Sequence, residues 1–146
     1  MRKLIFAISA LAFVTSAAFA DPIADRQALM KANGKAMGTL VPIAKGEKPF
    51  DAAVVLAALQ TLNDDAQKLD VAVLFPPGSE TGGETTASPK IWEDPAGFQA
   101  DVDKFKADAA AAVAAPPQDA AALGATVGAI GRNCGGCHET FRIKKG

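Results

Sequence analysis

Three observations predict an all-α protein, an antiparallel four-helix bundle. Beyond residue 20 the chain is rich in alanine and carries no convincing alternating strand pattern. Apolar side chains recur at three- and four-residue steps along four separate stretches, the signature of a helix buried on one face. The connections between these stretches are short except for one long crossover, as antiparallel neighbours require.

The elements follow in chain order. Residues 1–20 read as a secretory signal peptide: Arg2 and Lys3 form a basic start, Leu4 to Val14 an apolar run, and Ala18, Phe19 and Ala20 a small-residue cleavage site before Asp21. The apolar run is too short to serve as a membrane anchor. Residues 21–146 then form one domain with one core. Ile23, Gln27, Met30, Gly34, Met37, Val41 and Ala44 mark one face of a first helix, with a kink or stop expected at Pro42. Lys45 to Pro49 form the turn. A second helix starts near Asp51, with Val54, Ala58, Leu62, Ala66 and Leu69 on its stripe.

From Phe75 to Lys90 the periodicity fails, because Pro76, Pro77, Gly78, Gly82, Gly83 and Pro89 punctuate a polar loop. Asp94 and Pro95 suit the cap and first position of a third helix, with Phe98, Val102, Phe105, Ala109 and Val113 buried. Ala114 to Pro117 close it. Asp119 or a neighbour opens the fourth helix, whose face carries Leu123, Val127, Ile130, Cys134, Cys137 and Phe141.

That last face joins structure to chemistry. Cys134, Gly135, Gly136, Cys137 and His138 place two thiols at i and i+3 with an imidazole immediately after, the pattern for covalent attachment of c-type haem. Each sulfur adds to one vinyl group of the porphyrin, and the adjoining His offers a ring nitrogen to iron. Cys134, Cys137 and His138 lie within one turn and continue the apolar stripe, so the haem is expected against the bundle interior. The chain holds two Cys and one His, all within this pentapeptide. A structural zinc site would need a carboxylate to complete four ligands. A thioredoxin-like pair would need a βαβ context, and a plain disulfide leaves the His unexplained.

Charge bounds the partners. The leader removes two of 15 basic residues and none of 16 acidic ones, leaving a net charge of about −3. No basic stripe is present, so neither nucleic acid nor a membrane surface is an expected partner, and no stable membrane insertion is expected. Asp64, Asp65, Asp101, Asp103 and Asp108 read as solvated faces, and none pairs with a base into a catalytic set. The chain is therefore not expected to be an enzyme. A peroxidase in particular lacks a distal His.

With His138 used, the sixth position on iron is left to Met, Lys, water, a gas or nothing. The mature methionines are Met30 and Met37, seven residues apart on one helix face. Both suit a core as flexible gap-fillers. A thioether meeting the iron would raise the reduction potential and suit electron transfer.

The chain resembles the class II c-type cytochromes, the cytochrome c′ family, over essentially all of its mature length. The matching pieces are Arg26-Gln27-Ala28-Leu29-Met30-Lys31, Leu74-Phe75-Pro76-Pro77-Gly78-Ser79, Pro89-Lys90-Ile91-Trp92, and the run from Cys134 to Arg142. The resemblance implies one haem c in a four-helix bundle, often in a homodimer, exported to the periplasm. It implies thioethers at Cys134 and Cys137 and His138 as proximal ligand. Arg142 would lie near that His, and Arg26 and Gln27 near the haem propionates. Met30 would face the distal side.

Members divide at that position. In one branch Met is the sixth ligand; in the other the iron is five-coordinate whatever stands there. Ile43 to Asp51 resembles the low-spin branch. The reading is thus a one-electron carrier between periplasmic redox proteins, with Met30 as sixth ligand. The alternative is a five-coordinate protein binding nitric oxide or carbon monoxide. Trp92 reads as a packing anchor beneath the loop, whereas Phe75 either reaches the distal pocket or caps the core. Arg142, Lys144 and Lys145 either dock an acidic partner or simply favour a helix C-terminus.

Overall fold

Aspartates decide where most helices begin. The computed structural model describes residues 21–144, so the expected leader lies outside the described residues. The helices are α1 (Pro22–Ala44), α2 (Ala52–Lys68), α3 (Val71–Leu74), α4 (Lys90–Glu93), α5 (Pro95–Ala114) and α6 (Ala120–Phe141). Asp21, Asp51, Asp70, Asp94 and Asp119 cap α1, α2, α3, α5 and α6, each carboxylate accepting from amides two or three residues ahead. A cap satisfies amides that have no partner inside the helix.

The end of α1 is equally local. Pro42 neither kinks the chain to a stop nor ends the helix, which continues to Ala44. The stop comes from Gly46, whose φ of 74° is the left-handed geometry of a Schellman cap. Its amide donates to Ile43 O at 3.0 Å, and Glu47 N donates to Pro42 O at 2.9 Å.

The four long helices form the sides of a square: α1 packs on α2, α2 on α5, α5 on α6, and α6 on α1. This is the antiparallel four-helix bundle. Leu40, Val55, Leu59, Leu62, Leu123 and Ile130 are fully buried at its centre. Phe98, Val102 and Phe105 extend the core from α5. No described helix is long and apolar enough to cross a membrane.

Two stripes differ from expectation. The buried side of α1 carries Arg26, Asn33, Ala36, Leu40 and Ile43, one residue round from the expected stripe of Ile23, Gln27, Met30, Gly34, Met37, Val41 and Ala44, of which Met37 and Ala44 pack partly buried against the core. Arg26 and Asn33 are polar, so apolar periodicity pointed to the neighbouring face. In α2 the core residues are Val55 and Leu59 beside Ala58 and Leu62, and Val54 is 44% exposed. Asp65, expected on a solvated face, is buried in the same helix. The crossover also holds the single-turn helices α3 and α4, too short for a periodic signal.

Candidate haem site

α6 projects Cys134, Cys137 and His138, all half-buried, from its last two turns. The rotation of α6 is held from α5. Asn133, buried and adjacent to Cys134, donates from Nδ2 to Asp108 Oδ2 at 2.7 Å. Lys104 Nζ donates to the same oxygen, also at 2.7 Å.

Beside Cys137 and His138 lies a cavity of about 420 Å³, within the range of cofactor pockets, which Cys134 does not border. Cys137, His138, Phe141 and Arg142 border it from α6, and Arg26, Gln27, Met30 and Lys31 from α1. Phe98 and Val102 line it from α5, and Phe75 with Thr85, Thr86 and Ala87 from the crossover. Met30 is 39% exposed there, one of the large apolar side chains left open at the surface. Met37, by contrast, packs partly buried against the core and does not border the cavity. A second concavity of about 550 Å³ is lined by Gly135, Glu139 and Lys144, with His138 and Arg142 bordering both.

The donor chemistry fits a haem. Burial raises the pKa of the Cys134 thiol. That of Cys137 is pushed up to about 11, by burial first and then by the charges of Asp101 and Cys134. Both stay protonated, unpaired thiols at neutral pH. The imidazole of His138 has its pKa lowered by burial and then by the positive charge of Arg142. It is therefore neutral near pH 7, with a lone pair available to a metal. Among the described residues no three His, Cys, Asp or Glu side chains cluster as a cage for a bare ion. The cavity walls are largely apolar, and Arg26, Lys31 and Arg142 stand where anionic substituents of a macrocycle could be met.

Arg26 has a further role that the sequence did not reveal. It is 5% exposed, and its guanidinium donates to Ser79 O at 2.7 Å, Thr85 Oγ1 at 2.9 Å, and Leu74 O and Ser79 Oγ at 3.2 Å. It also lies 4.9 Å from the ring centre of Phe75. Phe75 takes both expected positions, bordering the cavity while packing edge-on against Phe98 and Trp92. Trp92 is the anchor anticipated beneath the loop, its Nε1 donating to Phe75 O at 3.1 Å. Thr85, Thr86 and Ala87 carry no sequence signal for the site, because backbone pairing rather than side-chain type brings them there.

The comparisons with known proteins agree with this geometry. The family model described as Cytochrome C′ matches residues 21–142. Cytochrome c′ of Rhodopseudomonas palustris is 46% identical over 127 residues, 86% of this chain and 84% of that protein. Cytochrome c-556 of Agrobacterium fabrum is 43% identical over 126 residues, 86% of this chain and 84% of that protein. The solved structure of cytochrome c′ from Rhodopseudomonas palustris superposes with a TM-score of 0.80 at 44% identity, covering 87% of this chain and 99% of that one. With the bundle, the two thiols and the imidazole in place, the chain belongs to the cytochrome c′ family, whose members carry one covalently attached haem c.

Proposed function

We propose that this chain is a periplasmic one-electron carrier in which His138 and Met30 would hold the haem iron. Cys134 and Cys137 are the thioether residues. The haem supplies the one-electron Fe(III)/Fe(II) couple. The protein's own residues do the rest. His138, kept neutral by burial and by Arg142, presents its lone pair. Phe75, Phe98, Val102 and Phe141 exclude water from the cavity between them. Gln27 and Arg142 stand at its border, where a propionate can be bound.

The observation that carries the reading is Met30. It is the methionine bordering the cavity that His138 also borders, and it keeps 39% of its surface exposed there while Met37 packs against the core. A neutral thioether and a neutral imidazole change little in charge or position between oxidation states, which favours a carrier over a site that binds and releases ligands. Export before haem attachment is part of the proposal. In its support, Asp21, the residue after the expected cleavage point at Ala20, caps α1.

The test is Met30→Ala in holoprotein matured in a periplasm. Ferrous wild-type protein is expected to show a sharp low-spin visible spectrum that carbon monoxide hardly changes. The variant should become high-spin and bind carbon monoxide readily. A low-spin spectrum that survives the substitution contradicts the ligand assignment. A wild-type protein that is already high-spin and takes carbon monoxide avidly supports the five-coordinate alternative instead.

A further inference from the structure

The crossover segment from Phe75 to Ser88 is a strap tied at both ends to the two ligand-bearing helices. Its far end is annealed to the residues that leave α6. Ser88 N donates to Phe141 O at 3.0 Å, Ile143 N donates to Thr86 O at 2.8 Å, and Ala87 faces Arg142 in an antiparallel bridge. These contacts lie one turn beyond His138. Arg26, one turn before Met30, holds the near end through Leu74, Ser79 and the Phe75 ring, and reaches across to Thr85 beside the far end. Ile23 adds a contact, packing on the backbone of Gly82 and Gly83, whose φ values of 102° and 55° bend the strap around the start of α1.

Arg26 stands out for a second reason. Between residues 21 and 32 it is the one buried side chain. In the first two turns of α1, with Met30 just beyond them, the other anchor is Leu29, only partly buried against the core. All four oxygens that accept from the guanidinium are uncharged, three in the strap and one, Leu74 O, on the residue just before it. Burying a guanidinium is costly unless its donors are met, so the strap and the α1 terminus are fixed together or not at all.

We propose that Arg26 is the positioning residue for the sixth ligand: by locking the strap it sets the spacing between the Met30 turn of α1 and the His138 turn of α6. The inference rests on the reading of Met30 as ligand. Methionine is flexible, so it stays at one point only if its helix is held. The fork geometry matters more than the charge. Lysine keeps the charge but cannot meet four acceptors, and so cannot replace arginine here.

The experiment compares holoprotein carrying Arg26→Gln, Arg26→Lys or Thr85→Val with the wild type. Thr85→Val removes one acceptor and leaves the buried guanidinium in place, which keeps a measurable variant if the Arg26 substitutions prevent folding. Two quantities are read: amide hydrogen exchange in residues 75–88, and the rate at which carbon monoxide binds the ferrous protein. Loss of the fork should raise both by about tenfold or more in Arg26→Gln and Arg26→Lys, with a smaller rise in Thr85→Val. Strap exchange that does not rise overturns the proposal. So does a rise in exchange with unchanged carbon monoxide kinetics, or an Arg26→Lys protein that behaves as wild type. A low-spin wild type with unresponsive variants removes this inference alone, whereas a high-spin wild type removes the Met30 reading and this inference with it.

Discussion

Asn133 binds no cofactor, yet it fixes the azimuth of the helix that does. It precedes Cys134, and its side-chain amide crosses to Asp108 on α5. Deleting that amide leaves the shared carboxylate with Lys104 alone, and Asn133→Ala should cost about 1–3 kcal/mol in denaturant unfolding at neutral pH. The pH dependence has a definite sign. Hydrogen bonds from Lys104 and then Asn133 hold the Asp108 carboxyl below the usual carboxylate range. A depressed folded value means that the stabilisation is complete above the ordinary carboxylate pKa and is lost as pH falls through the lower folded one. The variant should therefore lose less stability on acidification than wild type. Equal acid sensitivity in the two proteins would show that the bond is not made in solution. Arg26 and Asn133 share one lesson: buried polar side chains near the haem site position elements.

At the scale of elements, the helix starts were legible and the helix faces only partly so. Asp94 followed by Pro95, and Asp51 and Asp119 before apolar runs, are strong local signals, and each carboxylate does cap its helix. Because the cap energy is local, it can be tested alone. Asp51→Ala removes the acceptor for Ala53 N and Val54 N, bonds of 2.9 and 3.1 Å. It should lower stability by about 1 kcal/mol and Tm by roughly 3–6 °C, without changing the visible spectrum, since α2 meets the cavity only through Leu69 after its far end. A spectral change in this variant would show that the end of α2 beside the α1 turn influences the haem site. The α1 face was misread for a physical reason. Periodicity scores apolar residues, whereas this helix buries Arg26 and Asn33 and turns Met30 toward a cavity meant for a cofactor. Donor type and helical spacing singled out Cys134, Cys137, His138 and Met30 in the sequence, and the fold gathers Met30, Cys137 and His138 around one cavity with Cys134 half-buried one turn before Cys137. Thr85, Thr86 and the strap were not, because they reach the cavity through backbone pairing with the segment after α6.

At the scale of the molecule, the bundle separates stability from function. Leu40, Leu59, Leu62 and Leu123 close the centre of the square, while the cavity sits toward the end where α1 begins and α6 finishes. His138 and Arg142 border both this cavity and the more open concavity beside Gly135 and Lys144. The edge of the site that carries the imidazole thus lies near solvent, where a redox partner can approach. Everything in this arrangement turns on whether two helices that start and end at the same pole present sulfur and nitrogen to one iron. The direct measurement is a proton–carbon NMR spectrum of the ferrous holoprotein carrying ¹³C in its methionine methyl groups. Met30 and Met37 are the methionines beyond residue 20, so two signals are expected from protein cleaved as proposed. One of them should lie far upfield, shielded by the porphyrin ring current, and disappear in Met30→Leu. Two signals at ordinary methyl positions would contradict ligation by Met30 and with it the account of this chain as an electron carrier.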